Sequence, residues 1–249
     1  MTRTRTDFRK VTLKKIPLFK SASINTIKRL DREATRKTYS RNEQIIVRSN
    51  GDTDVFILLS GQARVSIYSS HGKVVGFRQI NPGDMFGEFA AIDGRERSAT
   101  VEAMKVSSAL VMSASLFKEL MENDSAFLNT VLLHLVKILR CMTARVVEFS
   151  TLAVKNRIHN ELLRLAKEAA DGSGLYLINP APTHSEIAAQ ISTHREAVSR
   201  EISRLKRLGL LERRGKSLIV KDRDRLEKMV HEASGECLIP ENEIMCRCE

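Results

Sequence analysis

The stretch from Thr183 to Val220, THSEIAAQISTHREAVSREISRLKRLGLLERRGKSLIV, holds the clearest structural signals in the chain. Thr183-x-x-Glu186 is a capping box, so a helix begins just after Thr183. A second periodic run starts near Arg195. With Arg195 set at zero and about 100° per residue, Ser199 falls near 40°, Glu196 near 100° and Arg200 near 140°. Ala197, Val198, Ile202, Leu205 and Leu208 fall on the other side of the wheel. This helix therefore has one apolar face for a domain and one polar, Arg-rich face for something outside it. RRGKSLIV then reads as a β-hairpin. Helix, turn, helix and hairpin in this order predict a winged helix-turn-helix.

The polar face has the chemistry of a major-groove reader. Residues 195–207 hold five basic side chains (Arg195, Arg200, Arg204, Lys206, Arg207) and two acidic ones (Glu196, Glu201). A guanidinium forks onto guanine O6 and N7, and a Glu carboxylate accepts from cytosine N4. Two plainer readings compete: a solvated helix with a Glu196–Arg200 pair, and a capping box Thr193-x-x-Glu196 that would occupy Glu196. The free N–H groups behind Thr183 could hold a DNA phosphate. Arg214-Gly215-Lys216 at the wing tip could do the same, or could be a solvated turn.

Upstream, VKNRIHNELLRLAKEAA (154–170) reads as a helix that Asp171-Gly172-Ser173-Gly174 ends. Before it, 125–151 reads as one long helix, capped by Asn123 or Asp124. Leu128, Leu132, Leu135, Leu139, Met142, Val146 and Phe149 recur at alternating spacings of four and three, a heptad seam. Such a helix is about 40 Å long, more than a small domain needs. The narrow stripe suits a parallel two-helix dimer; a core helix lying on the preceding domain is the other reading.

From about 20 to 112 the pattern changes. A short helix is expected over 21–36. After it come EQIIV, DVFILLSG, QARVSIYS, KVVGFRQI, SATVEAM and SALVMSA, separated by Gly-, Asn-, Asp- and Pro-containing turns. Short strands with regular turns imply a closed sandwich or jelly roll. Between them, GDMFGEFAAIDGRERSATVEA (83–103) reads as strand and loop. Gly87 lets backbone approach a ligand closely. Glu88 only accepts hydrogen bonds, which suits a sugar hydroxyl. Arg97 is a permanent, fork-shaped cation, which suits a phosphate. Ser98 adds a hydroxyl, and the backbone at Ala99 an N–H. Together they match a ribose joined to an anionic phosphate.

The whole chain sets bounds. Its 249 residues fit two domains, and the net charge of +11 suggests a polyanionic partner. No apolar run is long enough for a membrane span, and the basic first residues lead into no apolar segment, so a cytoplasmic location is expected. The four cysteines, Cys141, Cys237, Cys246 and Cys248, are expected to stay thiols there. Cys237, Cys246 and Cys248 with His231 do not match a usual zinc knuckle, so no metal is expected.

At this point the residues resemble a known family. FGEFAAIDGRERSATV looks like the phosphate-binding cassette of cyclic-nucleotide-binding domains. Thr183–Val220 resembles the DNA-binding half of the cyclic AMP receptor protein (catabolite activator) or Crp/Fnr family of bacterial transcriptional regulators. The resemblance implies an α+β fold. Its parts are an N-terminal arm and cyclic-nucleotide-binding β-roll (1–124), a dimerisation helix (125–151), a winged helix-turn-helix (152–230) and a C-terminal tail (231–249). It implies cyclic AMP, or cyclic GMP, as allosteric effector. Gly87 and Glu88 would lie at the ribose, Arg97 and Ser98 at the cyclic phosphate, and Met142 and Thr143 at the base, with Phe89 and Ala99 also among the ligand-binding residues. A helix Thr can instead bond back to a carbonyl. Arg195, Glu196 and Arg200 would read bases, with Ser199 also on the DNA-binding face and Thr183, Arg214, Gly215 and Lys216 on the backbone. The implied partners are palindromic double-stranded promoter DNA with half-sites like TGTGA, a second copy as homodimer, and RNA polymerase.

Other functions fare worse against the residues. An enzyme is not expected: no nucleophile–base pair is apparent, and a cupin-type metal roll needs clustered His, whereas only His71 lies between 20 and 112. A redox or gas sensor of the same architecture remains an alternative. Its iron–sulfur form needs an N-terminal cysteine cluster, and no cysteine precedes Cys141. A ligand-independent DNA binder is the third alternative.

Overall fold

A computed structural model of the chain describes residues 13–49, 51–68, 74–169 and 175–234. They form two compact units, one built mainly on residues up to 67 and on 77–136, the other mainly on those from 137 onward.

In the first unit, α1 (Ile24–Glu33) starts at Ser23, whose hydroxyl accepts from Thr26 N at 3.2 Å. Strands β1 (Thr35–Tyr39), β2 (Gln44–Ile46), β3 (Val55–Ser60), β4 (Ala63–Tyr68), β5 (Val74–Ile80) and β6 (Met85–Phe86) follow. Next come helix α2 (Glu88–Asp93), strands β7 (Thr100–Ala103) and β8 (Ser107–Met112), and helix α3 (Ala114–Asn123). The strands make two four-stranded sheets, ordered β1-β8-β3-β6 and β2-β7-β4-β5. The pairs β1–β8, β3–β8 and β3–β6 are antiparallel.

Strand alternation explains the roll. Successive side chains of a strand point to opposite faces. Val55 and Ile57 of β3, with Leu110 and Met112 of β8, join one core with Phe19, Leu30, Phe117 and Phe127 from helical segments. Phe56, Leu58, Ala109 and Val111 of the same strands join a second core with Ile46, Ile80 and Val101 of the facing sheet. The β3–β8 pair is thus buried on both sides, which is why its sequence is a nearly continuous apolar run.

Helix α4 (Ser125–Thr151) is continuous across the boundary between units. Asp124 Oδ1 accepts from Ala126 N and Phe127 N, both at 3.1 Å, and so caps it. Along the heptad stripe Leu132 is 51%, Leu139 66% and Val146 64% exposed, whereas Leu135 packs against the first core, so the core covers the seam only in part. Cys141 is disulfide-bonded, contrary to the expectation of four thiols.

The second unit continues with α5 (Val154–Leu165), β9 (Lys167–Glu168), β10 (Tyr176–Ile178), α6 (His184–Gln190), α7 (Arg195–Arg207), β11 (Leu211–Arg214), β12 (Ser217–Val220) and α8 (Arg223–Ser234). Sheet order is β11-β12-β10-β9, and its pairs are antiparallel. One core, including Ile158, Leu162, Ile187, Val198, Ile202, Leu205 and Leu226, joins the helices to this sheet.

Several expectations need correction. The helix expected over 21–36 gives way to strand β1 at Thr35. The 83–103 stretch is not only strand and loop, because α2 lies within it. This helix is bounded by Gly87 and Gly94 at φ +83° and +72°, and its six residues are too few to show a helical period. Helix α5 ends at Leu165, and Lys167 and Glu168 pair with β10 instead of extending it. No helix is expected after the hairpin, but α8 follows it and runs past residue 230 to Ser234.

Candidate effector and nucleic-acid sites

In the first unit the β6–α2 turn brings the candidate phosphate and ribose ligands together. Gly87 sits at φ +83°, where an L side chain is strained. A Cβ there would lie 2.9 Å from both Arg97 Nη1 and the Asp54 carbonyl oxygen. Only glycine therefore lets the guanidinium approach the turn. Arg97 is 3% exposed, and Glu88 is also 3% exposed.

The Arg97 fork is directed at the chain's own acceptors. Nη1 donates to Gly87 O and Nη2 to Asp54 O, each at 2.7 Å. Nε donates to Asp52 Oδ1 at 2.7 Å, and Nη2 reaches the same oxygen. The guanidinium carbon also lies 5.8 Å from the Phe56 ring centroid. Carboxylates near this site act on Tyr39. Tyr39 is pushed up to about 12, by burial first and then by the charges of Glu43, Asp54 and Asp52.

Glu88 faces His134 of α4, whose Nε2 lies 3.5 Å from Glu88 Oε1. That nitrogen is buried and makes no hydrogen bond among the described residues. Phe89 and Ser98 are exposed, and Ala99 is half-buried. Sequence reasoning missed Asp52, Asp54 and His134. Asn50-Gly51-Asp52 gave only a turn signal, and nothing in the sequence around His134 points at Glu88.

Met142 and Thr143 lie on the part of α4 that belongs to the second unit. The Thr143 hydroxyl donates to Leu139 O at 3.0 Å, which is the back-bonded form weighed from the sequence.

The candidate DNA face is α7 with the β11–β12 hairpin. Arg195, Glu196 and Arg200 are exposed and Ser199 is half-buried, while Val198, Ile202 and Leu205 face the core. The cap of α7 is His194, without a side-chain cap bond. The alternative capping box at Thr193–Glu196 does not form, so it does not occupy Glu196. Thr183 and Glu186 do make a capping box: Glu186 N donates to Thr183 Oγ1 at 3.2 Å and Thr183 N to Glu186 Oε2 at 2.7 Å. The Thr183 side chain is thus already engaged at the start of α6.

Arg214, Gly215 and Lys216 are exposed at the hairpin tip, where Gly215 takes φ +60°. The face is electropositive. His184 is pushed below its ordinary range, by burial first and then by Lys206, Arg195 and Arg213. Behind the face, Arg204 Nη1 and His159 Nε2 both lie 2.7 Å from Glu201 Oε1.

Among the described residues no group of His, Cys, Asp and Glu could hold a metal ion, and no helix is long and apolar enough to cross a membrane.

Known proteins resemble both parts of the chain. Residues 36–124 match the cyclic nucleotide-binding domain, and 156–229 match the Crp-like helix-turn-helix domain. The transcriptional regulator LdrP of Thermus thermophilus is 31% identical over 178 residues, 70% of this chain and 86% of that protein. The cAMP-activated global transcriptional regulator Vfr of Pseudomonas aeruginosa is 27% identical, over 74% of this chain and 88% of its own. The crystal structure of a CRP-family transcriptional regulator from Thermus thermophilus superposes with a TM-score of 0.66 at 26% identity, over 80% of this chain and 98% of that one.

Proposed function

The chain belongs to the Crp/Fnr family of transcriptional regulators, and we propose that it works as a homodimer whose DNA binding responds to a cyclic nucleotide, with cyclic AMP preferred. The observation that carries this reading is the buried Arg97 guanidinium beside Gly87 and Glu88. It is a permanent cation next to a backbone turn without a Cβ and a carboxylate that can only accept. A cyclic phosphodiester, with its ribose hydroxyl one step away, satisfies all three. The Asp52 side chain is 41% exposed, so it can turn to water when a phosphate takes its place on the fork.

Thr143 on α4 is the candidate base contact; its hydroxyl donates to Leu139 O and keeps lone pairs for a further donor, and the preference for cyclic AMP rests on the likeness to the cAMP-activated regulators. The exposed seam of α4 supplies the dimer contact, and the effector is read by the paired helices. Their arrangement sets the two α7 helices about 34 Å apart, one turn of DNA. Arg195, Glu196 and Arg200 then read bases of a palindrome, and Lys216 and Arg214 meet phosphates. RNA polymerase is the further partner, the cytoplasm the site of action, and no catalytic role is proposed.

A second reading, a DNA binder without an effector, is favoured by the same Arg97, because Asp52 already neutralises it. Calorimetry with cyclic AMP and with cyclic GMP, followed by fluorescence anisotropy on a TGTGA palindrome, separates the two. Tighter binding of cyclic AMP and stronger DNA binding in its presence are expected. No heat with either nucleotide, and unchanged DNA affinity, would establish the second reading.

A further inference from the structure

The end of α4 holds the helix-turn-helix through a three-residue contact. Arg145 of α4 donates through Nη2 to the carbonyl of Gln190, the last residue of α6. Arg157 of α5 donates through Nη1 to the carbonyl of Ile191, the C-cap of α6, at 3.0 Å. Both guanidinium carbons lie 5.3 Å from the centroid of the Phe149 ring. Phe149 is one helical turn after Arg145 on α4.

The chemistry is that of a helix end. The last carbonyls of α6 have no intrahelical donors and carry the negative end of its dipole, so cations are favoured there. Two like charges at one helix end repel, and the aromatic face between their side chains offsets that repulsion. Removing the ring takes away the face that both guanidiniums share, and leaves them to the α6 carbonyls, with the charges of Glu161 and Glu148 acting on Arg145. Helix α6 in turn packs on α7, which carries Arg195 and Arg200.

We infer that Arg145, Phe149 and Arg157 form a clamp that fixes α6 and α7 to the end of the long helix. They are positioning residues for DNA reading: they touch no base, and they decide where the reading helix stands relative to α4. This rests on the proposed reading only in so far as α4 is the element an effector moves.

The test uses the full chain and a palindrome selected in vitro with the wild-type protein. Phe149→Ala and Arg157→Ala are compared with Phe149→Tyr, which keeps the ring, and Arg157→Lys, which loses the fork. The clamp predicts that the two Ala variants lose discrimination between the palindrome and a scrambled duplex by about tenfold, at fixed salt. Affinity of Arg157→Ala for the scrambled duplex stays at its wild-type value, because phosphate contacts are untouched, and Phe149→Ala, which also lies on the seam, is compared at a concentration where sedimentation shows it to be as dimeric as the wild type. Phe149→Tyr restores discrimination and Arg157→Lys does not. Wild-type discrimination in both Ala variants overturns the clamp. An equal loss on palindrome and scrambled DNA overturns it too, since that is what a merely unstable domain would give. Calorimetry of the wild type with cyclic AMP is read separately: its failure removes the effector, while the duplex comparison alone still decides for or against the clamp.

Discussion

Arg97 and Asp52, 45 residues apart in sequence, meet as an ion pair in which two guanidinium nitrogens share one carboxylate oxygen, Nε at 2.7 Å. An anionic effector and Asp52 therefore compete for one fork. Removing the competing charge with Asp52→Asn is expected to tighten cyclic AMP binding about threefold to tenfold, and less so at high salt. Arg97→Ala is expected to abolish the effector response and to leave salt-sensitive, non-specific DNA binding intact. Calorimetry at two salt concentrations checks both. Weaker binding by Asp52→Asn would mean that the carboxylate orients the fork and does not compete for it.

On the DNA face, Arg195 and Lys216 are both exposed but are predicted to do different things. Arg195→Ala should relax preference at one base position, at a cost of about 1–3 kcal/mol. Lys216→Ala should weaken all sequences alike and reduce the salt slope by about 0.9. Binding to a set of single-base operator variants over a salt series distinguishes the two. The same loss on every operator for Arg195→Ala would remove it from the groove.

The buried His159–Glu201 pair predicts a pH dependence of the second unit. The carboxylate only accepts, so Nε2 carries the hydrogen, at 2.7 Å from Glu201 Oε1. His159 is pushed below its ordinary value, by burial first; Glu201 opposes the shift, and Arg204 and Lys155 add to it. The unfolded chain then binds the proton more readily than the folded one. Stability is complete above the ordinary value of about 6.5 and falls as pH drops through it toward the folded-state value. His159→Gln keeps a donor for Glu201 and should flatten this slope in thermal unfolding. Equal slopes in the wild type and His159→Gln would assign the dependence to another group.

Asp124 ties α1 to the start of α4. It accepts from Ser23 N at 2.8 Å and Thr26 Oγ1 at 2.6 Å with one oxygen, and from Ala126 N and Phe127 N with the other. Burial raises its pKa, but the Thr26, Ser23 and Phe127 hydrogen bonds outweigh burial and bring it to about 2. Its contribution is present above the ordinary carboxylate value and is lost as pH falls through about 2. Asp124→Ala should cost about 2–3 kcal/mol through the lost cap and the orphaned donors, measured by denaturant unfolding. A change below half a kilocalorie, about the scatter of surface substitutions, would count against this role.

Legibility followed the range of each signal. The Thr183–Glu186 box, the apolar face of α7 and the strand alternation around Ile57 are set by neighbours within a few residues, and each could be read directly. Strand β1, TRKTY, has no apolar alternation, because most of it lies exposed at a sheet edge. Helix α3 follows β8 with only Ser113 between them, so the strand's apolar run leads into it without a turn signal, and β9 was hidden by the helical pattern that runs into it. At the site, Gly87, Glu88 and Arg97 were legible as residue types with the right chemistry. The partners that hold them, Asp52, Asp54 and His134, carry no local mark.

Local patterns were enough for the succession of roll, long helix and helix-turn-helix, the polarity of the reading helix, the heptad stripe and the chemistry available at residues 87–98. Periodicity, capping and turn preference are properties of adjacent residues, and no packing is needed to express them. That Arg97 is neutralised by Asp52, that His134 faces Glu88, and that Arg145 and Arg157 close on the end of α6 are outcomes of packing alone. Those contacts join residues far apart along the chain. Which of many acceptors a guanidinium meets depends on how the sheets and helices pack, and that is fixed by the burial of apolar surface over the whole unit.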